Sequence, residues 1–191
     1  MRLYWIGADA VEENDISAVR ALFPMRAERA ERYVKLMDRL LTYAGGVLLN
    51  RVLGADESRI AICSNGKPLI ENGPFFSLSH SGGRCVLAVD EAPIGVDIEL
   101  LDDGNLIAAR GALTQAELEW ISPEPLTRFH ILWTRKESLY KALGVADDPV
   151  KIDALCDTHG EWKLKSIIWE GFAVSVCAKE PGEITFENIK S

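Results

Sequence analysis

The sequence predicts an α+β fold made of two pseudo-symmetric halves, each a small antiparallel sheet with one long helix. Two observations predict it. A helical run from Arg39 through Leu49 and Leu53 to Gly54 returns in shape about 90 residues later, from Arg128 through Leu139 and Leu143 to Gly144, and both runs end in Leu-Gly. The alternating segment 83–89 has a counterpart in 171–177, at an offset of nearly the same size. Two amphipathic helices can look alike by chance, but helices and strands displaced together argue for a module that occurs twice. The join is expected between Asp97 and Asp103, where a strand ends and Asp102-Asp103-Gly104-Asn105 signals a turn. This divides the chain into residues 1–99 and 100–191.

The elements follow in order. Residues 2–6 read as an edge strand. Residues 39–54 carry the first long helix. In Pro93-Ile94-Gly95-Val96-Asp97-Ile98-Glu99, alternation along a strand sends Ile94, Val96 and Ile98 to one face and Gly95, Asp97 and Glu99 to the other. Thr114 and Glu117 form a capping box that opens a helix over 117–121. The second long helix runs to the stop signal at Gly144, and Leu132, Leu139 and Leu143 at i, i+7 and i+11 form an apolar stripe expected in the core. Residues 162–169 and 172–178 flank Glu170-Gly171 as a hairpin.

With 191 residues, 48% of them hydrophobic, the chain can bury a core without staples. A net charge of −8 argues against nucleic-acid or anionic-membrane binding. Cys63, Cys85, Cys156 and Cys177 form no C-x-x-C pair, against a zinc knuckle or a disulfide framework, and Cys85 and Cys177 are expected as small buried residues. The N-terminal residues are too poor in apolar side chains for a signal peptide, and no run approaches the length of a membrane span, so a cytoplasmic protein is expected. Charge is uneven. Between Arg20 and Arg51 lie seven bases (Arg20, Arg26, Arg29, Arg32, Lys35, Arg39, Arg51) against three acids (Glu28, Glu31, Asp38), which reads either as a solvated mixed-charge helix or as an anion-binding face.

Asp97 and Glu99 share a strand face roughly 6 to 7 Å apart along the backbone, so both can converge on one hard cation such as Mg²⁺. Equally, acids on a wet sheet face can meet only water or nearby bases. Glu137 and Lys141 are helical neighbours, either an exposed ion pair worth a few tenths of a kcal/mol or a third carboxylate beside a phosphate-binding amine. The segment Phe76-Ser77-Leu78-Ser79-His80-Ser81-Gly82 offers hydroxyl and imidazole donors in a loop whose glycines permit close approach to phosphate. A serine-hydrolase reading fails, because neighbours on one strand do not form a triad and no G-x-S-x-G elbow is present.

Gly66-Lys67-Pro68, Phe76 to Gly82, Gly95 to Glu99 and Trp133 to Lys141 resemble, in sequence order, the motifs of the 4′-phosphopantetheinyl transferase family in its larger, monomeric two-half type. The resemblance covers about residues 30–144. It implies the transferase fold and transfer of the phosphopantetheine arm of coenzyme A to a serine of an apo acyl, peptidyl or aryl carrier protein, with release of adenosine 3′,5′-bisphosphate. It implies Mg²⁺, or Mn²⁺ in its place, on Asp97, Glu99 and Glu137. Lys141 would meet a phosphate oxygen, and Glu137 or a metal-bound water would deprotonate the serine, with Glu117 as the weaker candidate for base or outer ligand. His80, Ser79 and Lys67, with Arg29, Arg32 and Arg39, would hold the 3′-phosphate. The pathway would be fatty-acid, polyketide or nonribosomal-peptide synthesis. The chain is short for this type, and the stretch from Glu99 to Trp133, where carrier contact is expected, is compact. There Leu106, Ile107 and Leu113 read either as an apolar docking patch, with Arg110 as a local base, or as core, the commoner place for apolar residues in such a stretch. Two rivals remain: a non-catalytic coenzyme A or nucleotide-binding module of the same fold, and a Mg²⁺-dependent hydrolase of a pyrophosphate.

Overall fold

The computed structural model describes residues 1–63, 66–104, 113–144 and 151–190. Leu106, Ile107 and Arg110 lie outside the described residues. The chain forms two units, Met1–Glu91 with Glu183–Ser191, and Ala92–Gly182. Both are α+β.

The first unit contains β1 (Arg2–Gly7), α1 (Glu13–Leu22), α2 (Pro24–Glu31), α3 (Leu36–Leu53), β2 (Ile60–Ile62), β3 (Pro68–Ile70), β4 (Phe75–Ser81), β5 (Arg84–Asp90) and β10 (Thr185–Asn188). A four-stranded sheet runs in the order β10-β1-β5-β4, and β2 pairs with β3 apart from it. Helix α3 is apolar along most of its length and ends where Gly54 takes φ +57°, a conformation that costs a Cβ-bearing residue more. Its Tyr43, Leu48 and Leu49 pack with Ile6, Val19, Phe23 and Leu87 in one core.

β1, expected at an edge, is interior. It lies antiparallel to β5 on one side and parallel to β10 on the other. β10 gave no sequence signal because it alternates exposed Thr185 and Glu187 with half-buried Phe186 and Asn188, and its length is four residues. Just past it, Lys190 Nζ reaches Asp15 Oδ2 at 2.6 Å, and Arg51 Nη2 donates to Asp15 Oδ1 at 2.8 Å.

The second unit contains β6 (Gly95–Leu100), α4 (Gln115–Ile121), α5 (Pro125–Leu143), β7 (Thr158–His159), β8 (Trp162–Trp169) and β9 (Phe172–Ala178). Its sheet has the order β6-β9-β8-β7. Every residue of β9 is buried, as for a central strand covered on both faces. Glu170 (φ +48°) and Gly171 (φ +82°) make the expected two-residue turn between β8 and β9. α5 opens on Pro125 and closes where Gly144 turns left-handed at φ +62°. Leu132 and Leu139 enter the core as expected, but Leu143, the last residue of the helix, is 38% exposed and Ala142 packs in its stead.

The division between the units falls before β6, not after Glu99. The partner of β6 is β9, in register from Gly95↔Cys177 to Leu100↔Phe172, so the strand belongs with the segment that follows it. Cys85 and Cys177 are buried as expected. Among the described residues no helix is long and apolar enough to cross a membrane.

Candidate functional site

In the second unit the strand alternation of β6 holds, but its acidic face is not wet. Ile94, Val96 and Ile98 are fully buried on one side, and Asp97, on the other, is only 3% exposed. The cause is α5, which crosses Gly95 so closely that a Cβ built there would lie 1.9 Å from the Ser138 carbonyl oxygen. Helix backbone therefore lies directly over the strand, and Asp97 points beneath it.

Lys141 reaches past its helical neighbour Glu137 to the strand. Its Nζ crosses to β6 and donates to Asp97 Oδ1 at 2.6 Å and to the Val96 carbonyl at 3.3 Å. Glu137, one turn earlier on α5, is half-buried. Burial first, then the like charge of Asp97, pushes its carboxyl above the usual range, and Lys141 offsets part of this. Glu99 occupies the same strand face as Asp97, nearer the strand end and half-buried.

A polar row anchors α5 beside these groups. Thr134 Oγ1 lies 2.7 Å from Ser175 Oγ, which lies 2.8 Å from Ser166 Oγ, and Ser175 stands opposite Asp97 in the β6–β9 register. His130, fully buried, donates from Nδ1 to the Leu126 carbonyl at 2.8 Å and accepts the Asp102 N–H at Nε2 over 3.4 Å, just past the end of β6. Sequence reasoning missed Thr134 and Ser175. The available signal was a serine inside the otherwise apolar run Phe172-Ala173-Val174-Ser175-Val176-Cys177.

Glu117 has a different place from the one expected. Its Oε2 accepts the Thr114 N–H at 2.8 Å in the capping box, and its Oε1 pairs with Lys136 Nζ at 2.5 Å, both side chains being almost wholly buried. Lys136 also donates to the Ile152 carbonyl at 2.7 Å. The carboxylate is thus spent on joining α4 to α5. Of the two readings of Leu113, docking patch or core, the structure has the core one: it packs against the core of this unit.

The first unit holds the basic candidates. Arg29 Nη2 donates to the Tyr33 hydroxyl at 3.3 Å and Arg39 Nη2 to the Tyr33 carbonyl at 3.3 Å, so the two converge around Tyr33. Glu31, near Arg39, is held below the usual carboxylate range by hydrogen bonds from Tyr43 and Arg20. Arg32 faces solvent and bonds Glu28 at 2.6 Å. Arg26 was counted in the sequence but not singled out. Its guanidinium fits a notch in α3, where a Cβ on Gly45 would lie 2.9 Å from Nη1, and burial lowers its pKa, partly offset by Cys85. Burial in turn pushes the Cys85 thiol up to about 12.

Ser79 and His80 lie on β4, not in a loop. Ser79 is buried and His80 exposed, and the turn that follows uses Gly82 at φ +53° and Gly83 at φ +85°. Lys67 sits in the β2–β3 connection, its carbonyl accepting the Cys63 N–H at 2.9 Å.

The donor set Asp97, Glu99 and Glu137 is all carboxylate oxygen, the chemistry of a hard divalent cation. Among the described residues, no three His, Cys, Asp or Glu side chains come together in a geometry that would hold a metal ion. The coupling of Asp97 to Glu137 is nevertheless the repulsion that a cation relieves, so the residues fit such an ion in kind.

The second unit thus sets a lysine clamped on a buried aspartate, with a second carboxylate beside it, between a strand and a long helix of an α+β fold. Comparison with known proteins gives the chain a family. The family model described as the 4′-phosphopantetheinyl transferase superfamily matches residues 93–179. The chain is 29% identical to the 4′-phosphopantetheinyl transferase Sfp of Bacillus subtilis (strain 168), over 95% of this chain and 93% of that one. It is 32% identical to the 4′-phosphopantetheinyl transferase ffp of Bacillus subtilis, over the same shares. The chain belongs to the 4′-phosphopantetheinyl transferase superfamily, in its Sfp-like type.

Proposed function

We propose that this protein transfers the 4′-phosphopantetheine arm of coenzyme A to a serine of an apo acyl, peptidyl or aryl carrier protein, releasing adenosine 3′,5′-bisphosphate in a Mg²⁺-dependent reaction. The observation that carries this reading is the clamp of Lys141 on Asp97 with Glu137 held beside it above its usual pKa. A bound Mg²⁺, on Asp97, Glu99 and Glu137, would neutralise charge on the pyrophosphate and on the departing bisphosphate.

The residues themselves divide the remaining work. The Lys141 ammonium, held by Asp97 and the Val96 carbonyl, turns its remaining donor capacity toward a phosphate oxygen. Glu137 takes the serine proton as general base. Glu117 acts one residue removed, holding Lys136 and through it the helix that carries Glu137. In the first unit, Arg29 and Arg39 with His80, Ser79 and Lys67 bind the 3′-phosphate, and Arg26 adds a buried positive charge beside Arg29. The same reading makes the protein a cytoplasmic monomer.

Intact-mass measurement of apo carrier proteins incubated with this protein, coenzyme A and Mg²⁺ tests the proposal. The expected result is a gain of one phosphopantetheine group per carrier, lost on chelation and lost in Glu137→Gln. Coenzyme A retained without transfer to any carrier would favour the non-catalytic binding module. Coenzyme A cleaved without carrier would favour the hydrolase.

A further inference from the structure

We propose that the exposed apolar segment between α2 and α3, formed by Val34, Leu36 and Met37 with the cations of Arg32 and Lys35, is the surface on which the acceptor protein docks. The acceptor would meet it with an apolar spot ringed by carboxylates. This rests on the transferase reading above.

Val34 is 98% exposed, Leu36 64% and Met37 48%, three large apolar side chains within four residues. Scattered exposed apolar residues are ordinary, whereas a cluster marks an interface. Nothing in α3 asks for them. Lys35 stands at its N-cap with no side-chain cap, and Leu36 and Met37 occupy a first turn where polar or acidic residues serve a helix better. Met37 reaches the β4–β5 turn, its Sδ 3.7 Å from where a Cβ on Gly83 would stand. The patch therefore adjoins the hairpin that bears Ser79 and His80.

Charge decides among occupants. The whole chain carries −8, yet residues 20–51 hold seven bases against three acids. Among the described residues the Arg32 side chain pairs with Glu28, both side chains being largely exposed at 73% and 67%, a contact too weak to withhold it from a partner. A second copy docked on this patch across a two-fold axis would set Arg32 and Lys35 against themselves. An anionic bilayer would meet the field of a −8 protein. A compact protein partner carrying a few carboxylates around an apolar spot covers this patch alone, so it meets the local cations Arg32 and Lys35 rather than the wider acidic surface that a bilayer would face.

The test compares the full-length protein with Val34→Ser/Leu36→Ser and with Lys35→Glu. Binding of apo acyl, peptidyl and aryl carrier proteins is followed by titration calorimetry, and transfer by steady-state kinetics. The expected result is a rise of about tenfold or more in both Kd and KM for the acceptor, with kcat, KM for coenzyme A and melting temperature unchanged. An unchanged acceptor Kd in the folded variants overturns the proposal, as does a wild-type protein that binds none of these carriers. It is equally overturned if the substitutions instead abolish self-association in sedimentation or binding to phosphatidylserine vesicles. A wild-type protein that binds a carrier through this patch but transfers nothing to it sinks the transferase reading alone.

Discussion

Gly95 lacks a side chain because the backbone of α5 occupies the space one would fill, with the Ser138 oxygen 1.9 Å and the Ala142 nitrogen 2.7 Å from a built Cβ. Gly95→Ala must push helix and strand apart, which is expected to cost about 1–3 kcal/mol of stability by urea unfolding. It should also draw Lys141 off Asp97, so transfer would fall more than stability alone explains. Lys136 and Glu117 make a different case. Lys136→Met leaves Glu117 charged and buried, and a loss of about 3–5 kcal/mol is expected by the same measurement. The double variant Lys136→Met/Glu117→Leu should recover most of it, because no lone charge remains. At this scale the sequence shows which residues matter better than why. Asp97, Glu137 and Lys141 stand out by spacing, but the Lys141–Asp97 pairing joins positions 44 apart and no local pattern contains it.

The elements that carry the candidate site were readable from their own periodicity. β6 alternates, and α5 has its apolar stripe and a glycine stop. What local pattern omits is which strand lies beside which: β6 pairs with β9 rather than with its neighbours in sequence, and this moves the unit boundary. α1 is tied to the chain's last described residues by one carboxylate, and here acidity is informative. Burial pushes the Asp15 carboxyl up, but hydrogen bonds from Lys190 and the Glu12 N–H, with the charges of Lys190 and Arg51, more than offset it and hold the pKa below 3.8. The folded state therefore binds this proton less readily than the unfolded state. The stability so gained is complete above pH 3.8 and drains away as pH falls through the lower native value. Asp15→Asn should lower the melting temperature at neutral pH and flatten its decline in acid, as thermal melts across the acid range would show.

At the scale of the whole molecule, duplication was legible in the paired helices and hairpins, but the closure of the first unit was not. That unit borrows β10, a short strand with two exposed polar positions, to cover β1. A chain ending at Gly182 loses this strand together with the Lys190–Asp15 pair. Hydrogen exchange is then expected to show β1 amides losing protection while β9 amides keep theirs, since β9 lies between β6 and β8 in the other unit. Equal loss in both would mean that the units unfold as one. A further consequence concerns the order in which a ribosome delivers the parts. The second unit is one uninterrupted segment and can fold as soon as it emerges. The first unit is begun earliest yet waits for a strand translated after the whole of the second, so during synthesis its sheet presents the bare flank of β1 to chaperones and to neighbouring nascent chains.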